Sequence, residues 1–154
     1  FDPNDYVRKA TERYRFGALI SGRGCPGRCT YCDQSVFGRK CARASVAALV
    51  ADMKHRRNSF GVSNFYFIDD TLLWNKVAVR DLCRAIVDAP VLHDITWGCN
   101  GRPDQADDSL FTDMKNAGCD TITFGLESGD PDTLRIVNKG IALDTMLVTV
   151  GKAI

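Results

Sequence analysis

Short apolar runs and amphipathic helical patterns alternate four times along this chain of 154 residues. The apolar runs cover residues 16–21, 64–68, 95–97 and 121–126, and their length and composition are typical of buried strands. Helical patterns follow them near Ser45, Asn75, Leu110 and Pro131, and a weaker pattern covers residues 141–154. Because no tight hairpin signal joins two runs, the strands are predicted to form a parallel sheet covered by helices.

Polar side chains follow each of the four predicted strands. Right-handed crossovers bring the carboxyl ends of parallel strands to one edge of the sheet, where α/β barrels and open sheets place their chemistry. The residues expected at that edge are a cysteine-rich loop after the first strand, Asp69 and Asp70 after the second, Asn100 and Arg102 after the third, and Glu127 and Ser128 after the fourth. The run at 64–68 is almost continuously apolar and is predicted to be buried on both faces.

Cys25, Cys29 and Cys32 lie in one short loop directly after the first predicted strand. Thiolates ligate iron–sulfur clusters, and three thiolates on a four-iron cluster would leave one iron open to bind a small molecule. Pro26 and Gly27 would let the loop wrap tightly with its amide groups pointing at sulfur. The spacing therefore favours an iron–sulfur site with one open coordination position.

Zinc is the alternative metal for such a loop. Structural zinc sites usually have four ligands arranged in two Cys-x-x-Cys arms, and the sequence has no second arm. A histidine would have to complete the set, but His55 and His93 are each better explained by their local helical context. Zinc and an unliganded group of thiols stay open as the less favoured alternatives.

The remaining cysteines are scattered along the chain, at Cys41, Cys83, Cys99 and Cys119. Their scatter and the odd total of 7 favour a reduced compartment over a disulfide scaffold, and we interpret them as buried or inert thiols. Cys41 is the least secure of these assignments because it is close in sequence to the loop. No apolar run approaches the roughly 18 residues that span a bilayer, so a soluble cytoplasmic protein is predicted.

The charge balance argues against binding to nucleic acid or to an anionic membrane. The formal net charge is +1 and the sequence pI is about 7.7. Basic residues cluster at two places, which we interpret as solvated surface: Arg8, Lys9, Arg13 and Arg15, and Lys54, His55, Arg56 and Arg57. Neither nucleic acid nor membrane is expected as a partner.

The spacing Cys-x-x-x-Cys-x-x-Cys, with Tyr31 before the third cysteine, is accompanied by other short motifs. They are Ser21–Pro26, Phe37–Lys40, Phe67–Thr71, Gly125–Gly129 and Asn138–Gly140. With these residues the chain resembles the radical S-adenosylmethionine (SAM) enzymes, and among them the subgroup that often carries an N-terminal cobalamin-binding domain. The resemblance covers nearly the whole chain; the cysteine loop is highly specific, whereas the other motifs mainly distinguish subgroups.

The resemblance implies a cofactor for the cysteine loop. In that family Cys25, Cys29 and Cys32 would ligate a [4Fe–4S] cluster, whose fourth iron chelates SAM through its amino and carboxylate groups. An electron from a low-potential donor such as flavodoxin or ferredoxin cleaves SAM to methionine and a 5′-deoxyadenosyl radical, which takes a hydrogen from the substrate. The substrate would be a small molecule or a peptide, and any cobalamin would be bound mostly by a domain absent from this sequence.

The resemblance also implies roles for the residues after the second strand. Asp69, Asp70 and Thr71 occupy the place of the segment that holds the SAM amino group, and carboxylates suit an ammonium-like donor. Asp70 has an alternative role as the N-cap of the following helix. Tyr31 is expected to lie beside the cofactor.

The third and fourth strands end in further expected ligands. Glu127 and Ser128 match the position from which the family reaches the SAM ribose or carboxylate. Asn100 and Arg102 would face SAM or substrate, although an arginine before Pro103 would also serve to anchor the loop.

The fold class expected from this resemblance is α/β, a partial parallel (β/α) barrel with four of the six strands of a radical SAM core. Residues 1–14 would be a lead-in segment and residues 15–154 a truncated core domain. Because the absent strands would complete the adenine pocket, the isolated piece is expected to be weakly active or inactive. The parent protein would be a cobalamin-dependent methyltransferase, with radical rearrangement or cyclisation as one alternative and a non-catalytic iron–sulfur carrier or scaffold as another.

Overall fold

The computed structural model describes residues 16–33, 35–36 and 38–154, and within these it shows an α/β fold. The described residues include six strands: β1 (Phe16–Leu19), β2 (Gly22–Arg23), β3 (Ala42–Arg43), β4 (Asn64–Phe67), β5 (Thr96–Gly101) and β6 (Cys119–Phe124). Strands β1, β4, β5 and β6 pair in that order and all in parallel, which confirms the predicted sheet. The predicted lead-in segment and the basic cluster before residue 16 lie outside the described residues.

Helices connect the parallel strands as the sequence predicts. They are α1 (Val46–Phe60), α2 (Lys76–Val87), α3 (Asp108–Asn116), α4 (Pro131–Ile136) and α5 (Leu143–Ala153), with short 3-10 turns at Pro90–Leu92 and Pro103–Gln105. The side chains of Ser45 and Asn75 accept hydrogen bonds from backbone amides of the first turns of α1 and α2, at 3.2 and 3.1 Å. Both predicted helix starts are therefore confirmed, since each caps an otherwise unpaired amide.

The main core lies between one face of the sheet and helices α1, α2 and α3. Phe65, Phe67 and Trp97 on this face are fully buried, and the Phe67 and Trp97 rings meet edge to face with centroids 5.5 Å apart. The indole Nε1 of Trp97 donates to the carbonyl of Ala117 at 2.8 Å, so its one polar atom is satisfied in the core.

The other face of the sheet is open, which corrects the prediction that the second predicted strand is buried on both faces. Asn64 and Tyr66 alternate with the buried phenylalanines and are only half-buried, and Ile68 just beyond the strand is exposed. Side chains of successive strand residues point to opposite faces, and among the described residues helices pack on one face only. Asn64, Tyr66 and Ile68 therefore lie on the exposed face of the sheet.

A small antiparallel ribbon of β2 and β3 was not predicted. The first predicted strand ends at Leu19, two residues early, and the chain then pairs Gly22 with Arg43 and Arg23 with Ala42. A Cβ on Gly22 would lie 2.7 Å from the carbonyl oxygen of Ala42, so the ribbon needs glycine at this close approach. The ribbon brings together the two ends of the loop that carries the cysteines.

The later strand boundaries also differ from the predicted ones. Strand β5 continues beyond the predicted run 95–97 to Asn100 and Gly101, which pair with Thr123 and Phe124 of β6. Gly101 permits this extension, because a Cβ there would come within 2.5 Å of the Leu73 side chain. Strand β6 begins and ends two residues before the predicted range.

Replacing Asp107 with alanine is expected to destabilise the fold by about 1–2 kcal/mol at neutral pH, because Asp107 caps α3. Its carboxylate accepts from the Leu110 amide at 2.9 Å and pairs with Lys76 and Arg80 at 2.9 and 3.0 Å. The hydrogen bond from Lys76, followed by those from Ser109 and the Leu110 amide, lowers the pKa of Asp107 below its usual value. A depressed pKa means that the stabilisation is present above the unfolded value of about 3.9 and is lost as the pH falls through the folded value.

Urea unfolding of the Asp107→Ala variant and the parent sequence at several pH values checks this. The deficit of the variant should shrink below about pH 4. Asp81→Ala is the control, because Asp81 pairs with Arg84 on the surface at 2.7 Å and should cost less than about 1 kcal/mol. A deficit for Asp107→Ala that grows as the pH falls would contradict the assignment.

Candidate cofactor site

A cavity of about 480 Å³ lies where the carboxyl ends of the parallel strands meet the cysteine loop. Many of the residues predicted for the site line it: Cys25, Cys29, Tyr31, Cys32, Asp70, Asn100, Arg102 and Glu127. Lys139 and Thr123 also line it and were not assigned a role from the sequence. The structure therefore brings these strand ends and the cysteine loop together around one cavity.

The cysteine loop is attached to the rest of the fold at several points. At its start, the amide of Gly24 donates to the Asp70 carboxylate at 2.9 Å. Further along, the Thr30 amide donates to the carbonyl of Val137 at 2.9 Å, and the Asn138 side chain donates to the carbonyl of Arg28 at 2.9 Å. The segment after α4 thus holds the middle of a loop that begins 113 residues before it in the chain, counted from Gly24 to Val137.

Gly24 adopts a left-handed backbone conformation with φ of 84°. A Cβ at this position would lie 2.1 Å from the carbonyl oxygen of Lys40, where no side chain fits. Glycine is therefore required immediately before the first of the three cysteines.

Hydrogen-bond donors approach two of the three sulfurs. The amide of Gly27 lies 3.4 Å from Cys25 Sγ, and the guanidinium of Arg102 lies 3.9 Å from Cys29 Sγ. Desolvation raises the pKa of Cys32, and the neighbouring Cys25 and Cys29 raise it further, because closely spaced thiolates repel one another. Cationic or metal partners would offset that repulsion.

The three thiols are not gathered around one point. No group of three or more Cys, His, Asp or Glu side chains in the described part of the chain is arranged to hold one metal ion. A four-iron cluster binds each thiolate to a different iron, so it does not require the sulfurs to converge. His55 contacts Ser59 and Phe60 of its own helix, and His93 contacts the carbonyl of Val87, as the sequence indicated.

The acidic pair after β4 separates into two different environments. Asp70 lines the cavity, whereas Asp69 is 3% exposed and accepts hydrogen bonds from the amide of Ser21, at 2.7 Å, and from the Ser21 hydroxyl. Thr71 is buried away from the cavity and its hydroxyl donates to the Gln105 side chain at 2.5 Å. The helix cap is Asn75 and not Asp70, so the alternative reading of Asp70 as an N-cap is wrong.

Asn100 belongs to a polar network that crosses three strands. Its Oδ1 accepts from the Tyr66 hydroxyl at 2.9 Å, and its Nδ2 donates to the Asp69 carbonyl at 3.1 Å. The Tyr66 hydroxyl also lies 2.8 Å from the Thr123 hydroxyl of β6. These bonds fix Asn100 beside the cavity, in a network that includes Tyr66, a residue to which the sequence assigned no role.

Glu127 is held in a left-handed conformation with φ of 67°, which a non-glycine residue rarely adopts. Its carboxylate accepts from Lys139 Nζ at 3.0 Å, and the hydrogen bond from Tyr31, together with that from Lys139, lowers its pKa. Burial, followed by the hydrogen bond to Glu127, raises the pKa of Tyr31. A Cβ on Gly125 would lie 2.7 Å from the Glu127 carboxylate, so the glycine before this turn makes room for the carboxylate.

Lys139 is a charged site residue to which the sequence assigned no role. It is 4% exposed, and its ammonium group lines the cavity against Glu127. The signal available in the sequence was the motif Asn138–Gly140, whose first residue contacts the cysteine loop and whose second reaches the cavity. Ser128 does not line the cavity, and its hydroxyl accepts from the amide of Asp130 at 3.0 Å.

Arg102, directly after β5, contacts its own loop, the cysteine loop and the segment after α4. Its guanidinium forms a two-pronged pair with the Asp104 carboxylate at 3.1 and 3.1 Å and donates to the Lys139 carbonyl at 3.1 Å. The alternative in which Arg102 anchors its own loop is correct, and the same side chain also reaches the cysteine loop.

The sequence profile described as the radical SAM superfamily matches residues 19–154. The chain belongs to the radical SAM superfamily. Curated relatives include an uncharacterized methyltransferase from Pyrococcus horikoshii, 32% identical over 127 residues, which are 82% of this chain and 27% of that protein. The cytidylyl-2-hydroxyethylphosphonate methyltransferase of Streptomyces wedmorensis is 28% identical over 94% of this chain and 27% of its own length. This radical SAM chain therefore spans about a quarter of the length of these relatives.

A solved structure shares the fold of this radical SAM chain. It is the radical SAM methyltransferase TsrM from Kitasatospora setae with tryptophan substrate and a SAM analogue bound, with a TM-score of 0.83 and 18% identity over 98% of this chain and 30% of that one. A second TsrM structure, with cobalamin and a [4Fe–4S] cluster bound, has a TM-score of 0.78 at 17% identity over 99% of this chain and 34% of that one. These likenesses confirm the predicted α/β fold class of a partial parallel barrel. In the ranges described here, none of the helices is long and apolar enough to cross a membrane.

The residues present fit an iron–sulfur cluster on the cysteine loop. Three cysteine sulfurs, which are soft donors of the kind that ligate iron–sulfur clusters, line the cavity, and hydrogen-bond donors of Gly27 and Arg102 lie near two of them. A Cβ on Gly27 would lie 3.3 Å from Cys25 Sγ and 2.8 Å from Arg102 Nη1, so glycine keeps this approach open. Family membership, the donor set and the glycine cradle all point to the same cofactor.

Proposed function

We propose that this chain is the core of a radical SAM enzyme in which Cys25, Cys29 and Cys32 bind a [4Fe–4S] cluster. The observation that carries the proposal is the position of the three-cysteine loop, which faces a cavity lined by Asp70, Asn100 and Glu127 at the carboxyl ends of neighbouring strands. With SAM bound, such a cluster supplies reductive cleavage of SAM to methionine and a 5′-deoxyadenosyl radical.

The residues lining the cavity offer complementary groups for SAM. Asp70 and Glu127 are acceptors for an amino group or ribose hydroxyls, and Lys139 is a nearby cation for a carboxylate. Asn100 and Tyr31 complete the polar lining. Asp69, Thr71 and Ser128 do not line the cavity, so we assign the binding role to Asp70 and Glu127 in preference to them.

For the parent protein we infer methyl transfer as the reaction. The support is that two curated relatives carry the name methyltransferase and that TsrM, which shares the fold, is a methyltransferase seen with cobalamin. Cobalamin would be bound by residues outside this chain, and a low-potential donor such as flavodoxin or ferredoxin would supply the electron. Radical cyclisation or rearrangement without methyl transfer is the alternative within the same class.

Electron paramagnetic resonance tests the class of function. The protein that carries this chain is reconstituted anaerobically with iron and sulfide, reduced with dithionite, and measured with and without SAM. SAM at the open iron should change the signal of the reduced cluster, and methionine and 5′-deoxyadenosine should accumulate. An unchanged signal would favour a non-catalytic carrier, and a protein that binds zinc but no iron would overturn both readings.

Transfer of label from methyl-labelled SAM separates the two reactions. Dependence of labelled product on added cobalamin supports methyl transfer. Product formation without label and without cobalamin would support cyclisation or rearrangement instead.

A further inference from the structure

Arg102, which directly follows β5, reaches a sulfur of the cysteine loop. Its guanidinium lies 3.9 Å from Cys29 Sγ, although 73 residues separate the two in sequence. The side chain is 12% exposed, and the carbonyl of Lys139 accepts a second hydrogen bond at 3.1 Å. Because several contacts hold this mostly buried guanidinium, its distance from Cys29 Sγ is fixed.

The loop is shaped to admit this guanidinium. Gly27 lies between Cys25 and Cys29, and a Cβ there would come within 2.8 Å of Arg102 Nη1. Any larger residue would displace the guanidinium from the loop. The glycine thus explains how the arginine that directly follows β5 comes close enough to the Cys29 sulfur to act on it.

Asp104 holds the opposite side of the same guanidinium. Its two carboxylate oxygens accept from Nε and Nη2 at 3.1 and 3.1 Å, which leaves Nη1 directed at the loop. A bidentate pair of this kind fixes the orientation of the guanidinium and offsets part of its charge. The positive charge of Arg102 and the negative charge of Asp104 therefore have opposite effects on the electrostatic potential at the Cys29 sulfur.

We propose that the Arg102–Asp104 pair sets the reduction potential of the cluster, with Arg102 raising it and Asp104 lowering it. This inference rests on the proposed function, because it requires a cluster on Cys29. The reduced cluster carries one more negative charge than the oxidised one, so a cation and a hydrogen bond at a ligand sulfur stabilise the reduced form more. The carboxylate of Asp104 opposes that stabilisation.

The experiment is a redox titration of the reconstituted protein, followed by the paramagnetic signal of the reduced cluster. Arg102→Gln should lower the potential and Asp104→Asn should raise it. At a fixed applied potential, each change should alter the ratio of reduced to oxidised cluster by about tenfold, which is about 59 mV for a one-electron couple. Arg84→Gln and Asp81→Asn are matched controls, because they make the same charge changes in an exposed pair on α2.

Opposite shifts in the two variants separate an electrostatic role from a structural one. If the pair only held the loop in place, both variants would loosen it and shift the potential in the same direction. A same-direction shift, unchanged potentials, or shifts equal to those of the controls would overturn the proposal. If Arg102→Gln fails to fold, Asp104→Asn decides alone: a raised potential supports the proposal, and any other result overturns it.

Failure of this inference is distinguishable from failure of the proposed function. If the parent protein binds no iron–sulfur cluster, the proposed function is wrong. The parent protein could instead bind a normal cluster that responds normally to SAM, while neither variant changes the reduction potential. In that case only the proposed role of the Arg102–Asp104 pair is wrong.

Discussion

Replacing Cys29 with alanine is expected to abolish cluster binding and SAM cleavage while the protein remains folded. Cys29 is half-buried in a loop at the edge of the fold, so its removal costs little packing. A cubane held by three thiolates has no substitute for a missing one, and an alanine provides no ligand atom. Iron bound after anaerobic reconstitution should fall from about four per chain to background, with loss of the visible absorption of the cluster.

Cys41→Ala provides the matched control for this experiment. Cys41 is half-buried near the loop, and burial together with the charges of Cys25 and Asp70 raises its pKa. It does not line the cavity, and we expect this variant to keep its full iron content. If Cys41→Ala lost its iron and Cys29→Ala kept it, the set of three ligands proposed for the loop would be wrong.

Patterns repeated along the sequence were enough to predict the parallel sheet. The alternation of apolar runs with helical stripes fixed the order of the elements, and the capping residues Ser45 and Asn75 fixed where helices begin. The position of the site followed as well, because strand direction determines which loops share an edge. These features depend on local periodicity and on topology, and both can be inferred from the succession of polar and apolar residues along the chain.

Contacts between distant segments were not predictable in the same way. The β2–β3 ribbon joins residues about twenty positions apart through two short strands that carry no apolar pattern. Asp69 and Asp70 are adjacent and chemically identical, yet one is buried against Ser21 and the other lines the cavity, because successive side chains leaving a strand point to opposite sides. Lys139 was missed because only the folded chain places it opposite Glu127.

Replacing Asp69 with alanine is expected to destabilise the protein by about 3–5 kcal/mol, chiefly through the loss of hydrogen bonds to a buried carboxylate. The amide and hydroxyl of Ser21 both donate to Asp69, and each would be left unsatisfied. The buried guanidinium of Arg43 would also lose a nearby anion. Asp69→Asn keeps an oxygen acceptor for the Ser21 amide and should therefore recover part of the loss.

Asp70→Ala should behave in the opposite way. Asp70 is exposed, and its replacement removes one hydrogen bond, the one that its carboxylate accepts from the Gly24 amide. The substitution should therefore cost about 1 kcal/mol of stability. Because its carboxylate lines the cavity, SAM should bind more weakly to the reconstituted variant. Urea unfolding and calorimetric titration with SAM measure the two effects separately. The opposite result, in which Asp69→Ala keeps its stability and loses affinity for SAM, would make Asp69 the SAM ligand after β4. The contact between Asp69 and Ser21 would then not stabilise the fold.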